Sequence, residues 1–361
     1  MKMPQVLADC VSTIEPRNSE RYYAARQHLE SLTKPPGSLG RLEEVAAQFF
    51  ANQPDRVTLP LKKAVYVFAA DHGIVAEGVS LYPQEVTAQM VHNFLSGGAA
   101  INVLARQQNA ELLVIDAGVR GDFEAHPGLH RAKIASGTSN FARQPAMGEE
   151  QLARALQLGL DLAHAADKAD QQLIAVGEMG IGNTTSASAI ATMLTGREVE
   201  EVTGRGTGLD EPGRQKKVDV IRRALQLHFA ERKPEPLELL QTVGGLEIAA
   251  MTGFILGLAS HQRAIVCDGF ISTAAAALAY AICPDVKNYL YAGHCSEEPG
   301  HQYLLETIGL QPILSLGMRL GEGTGAVLAM PIIEAALHLY GEMATFASAG
   351  VSTARVREAG A

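Results

Sequence analysis

Gly317-Met318-Arg319-Leu320-Gly321-Glu322-Gly323-Thr324-Gly325-Ala326 joins an apolar run, 312–316, to an apolar helical pattern, 326–339. Strand, glycine-rich turn and helix in that order are how an α/β protein builds a site at the carboxyl edge of its sheet. Glycines on both sides of Glu322 let the backbone approach a ligand closely. A single carboxylate in such a turn has few partners, so its pKa can rise toward neutrality, which suits a general base. The same placement also suits a helix cap, with the carboxylate on first-turn amides. The local pattern leaves both roles open.

Five further apolar runs have strand character: 64–69, 112–115, 173–176, 264–266 and 289–291. Most are near-continuous rather than alternating, as expected of strands covered on both faces. Helical patterns lie between most of them, which predicts a parallel six-stranded sheet flanked by helices. Each run ends in glycine or polar residues. In order these are Asp71-His72-Gly73, Asp116-Ala117-Gly118, Gly177-Glu178-Met179-Gly180-Ile181-Gly182-Asn183-Thr184-Thr185, Asp268-Gly269, Gly293-His294 and the Glu322 turn. Six such turns after six strands predict one active edge.

The 361 residues, 47% hydrophobic and 19% charged, are enough for a sizeable core. A net charge of −9 argues against a nucleic-acid partner, since no broad basic surface is available for phosphates. Cys10, Cys267, Cys283 and Cys295 show no CxxC spacing and read as reduced thiols of a cytoplasmic protein. Asp9, Glu15 and Pro16 interrupt the start of the chain, so no signal peptide is expected. The most apolar segment, 248–260, is too short to span a bilayer and reads as a buried helix, so no membrane partner is expected. Helical periodicity at 18–31 and 41–52 is broken by Lys34-Pro35-Pro36-Gly37-Ser38-Leu39-Gly40. A polar linker closes at Pro60, and the tail 348–361 is polar. The expected organisation is a helical segment 1–60, a catalytic domain 61–330, and a C-terminal helix and tail 331–361 joining the first segment in a small lobe.

Three other clusters carry chemistry. In 177–185 a strand enters, three glycines cross, and Asn183, Thr184 or Thr185 can cap a helix whose free amides would bind phosphate. The glycine order GxxGxG differs from GxGxxG, and no GxxxxGK occurs, so neither a dinucleotide fold nor a P-loop is indicated. A plain tight turn with an N-cap fits equally. In Thr203-Gly204-Arg205-Gly206-Thr207-Gly208, Arg205 can fork onto an anion, and Asp210 begins a helix carrying Lys216 and Lys217. A loop before a solvated basic face also fits. His294, Cys295, Glu297, Glu298 and His301, with Asp71 and His72, do not follow a standard zinc spacing, so no metal is expected. Tyr82, Met90 and Met179 fit an apolar pocket or the core.

Taken together, the 34–40 segment, Asp71-His72-Gly73, the 177–185 stretch and the Gly321-Glu322-Gly323-Thr324-Gly325 turn, in this order, resemble the nicotinate-nucleotide:dimethylbenzimidazole phosphoribosyltransferase family of the cobalamin pathway. The resemblance covers roughly residues 20 to 350. It implies a homodimer with a Rossmann-like parallel sheet and a small helical lobe, working without a cofactor. It implies nicotinate mononucleotide and 5,6-dimethylbenzimidazole as substrates, with α-ribazole 5′-phosphate and nicotinate as products. Glu322 then becomes the base, with Glu178 as a second carboxylate. Phosphate and ribose contacts fall on Gly180, Gly182, Asn183, Thr184, Gly204, Arg205, Gly206, Lys216 and Asp268. The benzimidazole pocket falls near Tyr82, Met90, Met179 and Leu320. A different class, a metal-dependent hydrolase of a phosphorylated small molecule, would use Asp71, His72, Asp268 and His294.

Overall fold

The computed structural model describes residues 3–52, 57–230 and 232–352. Part of the linker before Pro60 (53–56) and most of the polar tail (353–361) lie outside them. Seven strands form one sheet: β1 Lys63–Ala70, β2 Glu111–Gly118, β3 Leu129–Arg131, β4 Leu173–Met179, β5 Ala264–Cys267, β6 Leu290–His294 and β7 Pro312–Leu314. Their spatial order is β3-β2-β1-β4-β5-β6-β7, and every pairing is parallel. The strand missing from the sequence reading is β3. It is three residues long, and His130 and Arg131 are exposed, so it leaves no apolar run to read. It pairs with β2 through Val114 and Leu129 at the sheet edge. The run expected at 289–291 starts one residue later, because Tyr289 closes a 3-10 turn, Pro284–Tyr289.

Chain order reverses between β1 and β4. From β1 the chain winds outward to β2 and β3, then crosses back to β4 and continues the other way to β7. Helices on either side of such a reversal leave a crevice beyond the strands' carboxyl ends.

Both sheet faces are covered, which explains the continuous apolar strands. Along β1, Tyr66, Phe68 and Ala70 enter one core, and Val65, Val67 and Ala69 enter the other. The first core is roofed by Glu149–Lys168, Leu246–Ser260 and Phe270–Ile282. Small residues permit very close helix contact here. A Cβ on Gly159 would stand 2.1 Å from the Ala250 carbonyl oxygen, and one on Gly253 2.2 Å from that of Leu156. Helix Leu246–Ser260 is buried all round, from Leu246 to Ala259.

The second core is roofed by Ala100–Gln107 and Thr324–Glu342, with Ser19–Ser31 and Arg41–Asn52 packed alongside. Phe50 stacks on Tyr340 at 3.9 Å, and His28 Nε2 meets the Tyr340 carbonyl at 2.8 Å. The proline–glycine segment after residue 33 is held by a buried ion pair, Lys34 Nζ to Glu43 Oε1 at 2.8 Å. The Leu39 amide donates to the same carboxylate oxygen. Helix Thr324–Glu342 runs slightly beyond the apolar pattern 326–339 at both ends, and Thr345 caps a separate turn, Phe346–Ala349. By length and composition this helix is the one among the described residues able to cross a membrane, but half of its apolar window is buried inside the fold.

Candidate active site

Two turns at the carboxyl edge face each other. At its carboxyl end β4 carries Glu178, and the chain then enters helix Asn183–Thr195 through Gly182, whose φ of 97° is left-handed. No side chain caps this helix; the Asn183 and Thr185 amides bond back to the Gly180 and Gly182 carbonyls, and its first residues, Asn183 and Thr184, line the cavity. The Thr184 hydroxyl accepts from Lys217 Nζ at 2.8 Å. Lys217 is fully buried, and that burial pulls its ammonium down to about 8. Gly206 lies over this pair: a Cβ there would stand 2.8 Å from Thr184 Oγ1 and 3.3 Å from Lys217 Nζ. A helix N-terminus beside a buried cation is anion-binding chemistry.

The second turn follows β7. Gly321, Glu322 and Gly323 have φ of 89°, 64° and 89°. Left-handed backbone at a glutamate costs energy and is kept only where the surroundings impose it. Asp268 imposes it. Its Oδ1 accepts from the Gly325 amide at 2.6 Å and the Ala326 amide at 3.0 Å, and its Oδ2 from the Gly323 amide at 3.1 Å. Asp268 therefore caps helix Thr324–Glu342, so Glu322 does not cap the helix that follows it. The nearest donor to Glu322 Oε2 is the Ile101 amide, at 3.4 Å.

The cavity encloses about 470 Å³. Burial, with the charge of Asp268, raises the Glu322 pKa above the usual glutamate value, and the Ile101 amide opposes the rise. Burial, then the charge of Asp268, pushes Glu178 up to about 8, although the Asn183 side-chain amide donates to it. Burial also lifts Asp268 to about 7, against three amides that pull it down. Carboxyl groups gathered in a largely buried pocket cannot all ionise cheaply, which is how a site acquires groups that titrate near neutrality.

The cavity wall receives Glu178, Glu322, Gly180, Asn183, Thr184 and Gly206 together with Tyr82, Met90, Met179 and Leu320. Five expected residues stand elsewhere. Gly182 packs behind the wall, where a Cβ would meet Val75 at 2.7 Å. Gly204 packs on Glu298. The Arg205 side chain is 61% exposed and pairs with Glu211. Lys216 reaches Gly78 rather than the cavity. Asp268 lies beneath the Glu322 turn, with both oxygens used by amides.

The sequence reading did not assign Lys217 or Arg319 to the site, and it weighed His294 and Glu298 only as metal ligands, whereas His294, Glu298 and Arg319 line the cavity. For Lys217 a signal existed: on helix Glu211–Phe229 it shares the buried stripe of Val220, Ile221 and Ala224, whereas Lys216 does not. Of the four residues that the hydrolase alternative would use, three are committed to other bonds; His294 Nδ1 has no hydrogen-bond partner among the described residues, but one imidazole is not a ligand set. His72 Nε2 meets Glu247 Oε1 at 2.5 Å, and its Nδ1 meets Ser186 Oγ at 3.1 Å. Asp71 takes the Arg120 amide, and Asp268 takes the three amides above. The hydrolase alternative therefore has no free ligand set among these residues.

A family model described as phosphoribosyltransferase matches residues 14–351. The chain belongs to that family. It is 48% identical to nicotinate-nucleotide–dimethylbenzimidazole phosphoribosyltransferase of Geotalea uraniireducens, over 96% of this chain and 98% of the relative. It is 50% identical to the enzyme of the same name from Desulforamulus reducens, over 96% and 99%. A crystal structure of the Thermus thermophilus enzyme of that name superposes with a TM-score of 0.86 at 46% identity, covering 93% of this chain and 100% of that one. A structure titled CobT from the same organism gives a TM-score of 0.88 at 47% identity, with the same coverage. The fold, the enzyme class and the resemblance carried by the four motifs agree with this membership.

Proposed function

We propose that this chain transfers 5-phosphoribose from nicotinate mononucleotide to 5,6-dimethylbenzimidazole, releasing nicotinate and forming α-ribazole 5′-phosphate for the lower-ligand nucleotide of cobalamin. The observation that carries the proposal is Glu322, a buried carboxylate with a raised pKa and one long hydrogen bond, on an apolar-walled cavity whose other end offers a helix N-terminus and Lys217. The phosphate rests at that helix N-terminus, with Lys217 behind Thr184. Tyr82, Met90, Met179 and Leu320 take the flat acceptor base.

The leaving ring nitrogen is cationic in the nucleotide and departs neutral, so its departure needs no acid. The unprotonated nitrogen of the neutral benzimidazole attacks C1′ opposite the leaving ring, turning a β-nucleotide into an α-nucleotide. The C1′–nitrogen bond to nicotinate breaks as the new one forms, and the acceptor becomes a cation. Its other ring nitrogen then loses its proton to Glu322. A positioned base of this kind contributes about 10²–10⁴ in rate. Glu178, protonated at neutral pH, can donate to the substrate instead of adding another negative charge.

The working unit is a homodimer in the cytoplasm, a reading supported by family membership and by four free thiols. Helix Leu246–Ser260 is not the dimer surface, since its apolar residues are used within the chain's own core. The outer side of Thr324–Glu342, where Ile332 is exposed, is the better surface. Light scattering should give twice the chain mass. The direct test of function is incubation with both substrates and identification of the α-nucleotide; its absence with folded protein would sink the proposal.

A further inference from the structure

Arg319 is the one lysine or arginine among the described residues that line the cavity. Its Nη1 donates to the Gly206 carbonyl at 3.1 Å, laying the guanidinium across the mouth from the Glu322 segment to the 204–208 loop. The remaining charged groups on the lining are three glutamates: Glu178, Glu298 and Glu322 are each no more than 7% exposed, and no hydrogen-bond donor among the described residues reaches Glu298 Oε2. A ring bearing its own carboxylate therefore has no cationic side chain on this lining to meet it other than Arg319. The cation nearest the phosphate end is Lys217, held behind Thr184. The cation left for a second anionic group is Arg319, with four of its five N–H donors still free for a forked contact.

We propose that Arg319 determines donor specificity by pairing with the carboxylate of the leaving pyridine ring, so that the site selects a pyridine-3-carboxylate nucleotide over the corresponding carboxamide. The inference rests on the proposed transfer reaction. It also gives the exposed position of Arg319 a purpose, because the released ring leaves as an anion through the mouth that the guanidinium spans. A lysine there would keep the charge and lose the fork.

The test compares kcat/KM for nicotinate mononucleotide and nicotinamide mononucleotide in the wild type, Arg319→Gln and Arg319→Lys, with dimethylbenzimidazole as acceptor. The wild type should prefer the acid nucleotide by tenfold or more. Arg319→Gln should lose tenfold or more on the acid nucleotide and little on the amide, collapsing the preference; Arg319→Lys should fall between. An equal loss on both nucleotides would place Arg319 on the phosphate and overturn the inference, as would a wild type without preference. Wild-type failure on both nucleotides would instead sink the transfer reaction itself. Titration of free nicotinate against free nicotinamide then still reads the selection, and equal affinities would overturn it.

Discussion

Gly177 on β4 lies so close to the backbone of Glu322 that a Cβ there would stand 2.6 Å from the Glu322 carbonyl carbon and oxygen. On the facing turn, a Cβ on Gly321 would stand 2.4 Å from Glu178 Oε1. These two glycines, 144 positions apart in sequence (321 − 177), let the β4 turn and the last turn touch. They are why two carboxylates separated along the chain share one cavity.

Gly177→Ala should therefore displace the Glu322 turn rather than the strand. Misplacement of a catalytic group by about an ångström costs on the order of 10²-fold in rate. Turnover should fall by that order with the circular dichroism of the fold kept. Turnover near normal in a folded variant would mean that the contact does not position Glu322.

Glu322→Gln keeps shape and removes basicity, so kcat should drop about 10²-fold or more with nucleotide affinity little changed. The base acts ionised, so activity should rise with pH through a limb lying above the usual glutamate range, as burial requires. That limb should vanish in the variant. A rate profile with the same limb in both proteins would remove Glu322 from the role of base.

Glu178 gives stability a pH dependence. Its pKa is raised from 4.5 to about 8, so the folded protein keeps a proton that the unfolded chain gives up. The stabilisation is complete below about pH 4.5 and is lost as pH climbs through about 8. Glu178→Gln should accordingly gain melting temperature relative to the wild type as pH rises from 4.5 to 8. A constant difference across that range would show that Glu178 is not held protonated by the fold. The residual slope expected in the variant comes from Asp268, also raised, to about 7.

Lys217→Met should raise the KM for the nucleotide tenfold or more and leave that for benzimidazole nearly unchanged, since it removes the buried positive charge behind Thr184 at the phosphate end. In the wild type the nucleotide KM should climb as pH passes about 8, where the buried ammonium discharges. Parallel changes in both KM values would show that the lysine serves the fold rather than the phosphate.

The acceptor pocket should be adaptable. Met90 and Met179 are flexible and polarisable, so they mould to rings of different outline. Rejecting a missing methyl is worth only about 1–3 kcal/mol in an apolar pocket. In direct competition, benzimidazole lacking both methyls should be a slower substrate that still yields its α-nucleotide. Complete exclusion would mean a rigid pocket.

The sequence by itself determined the α/β class, the parallel sheet, its active edge and the two carboxylate turns. These are carried by short-range signals: continuous apolar runs, glycines where the backbone turns left-handed, and a carboxylate beside them. It did not reveal β3, whose three residues have no pattern because pairing with β2 at an edge, not burial, makes them a strand. Nor could the local pattern decide between base and cap for Glu322. The cap of the next helix is instead Asp268, 54 positions earlier (322 − 268), which takes the amides of Gly323, Gly325 and Ala326 and leaves Glu322 on the cavity wall. Helical periodicity, about 100° per residue, could have told buried Lys217 from exposed Lys216, but its meeting with Thr184 and Gly206 was decided by packing. Which polar group is spent on structure and which is left for chemistry depends on partners far away in sequence, and only packing brings those partners together.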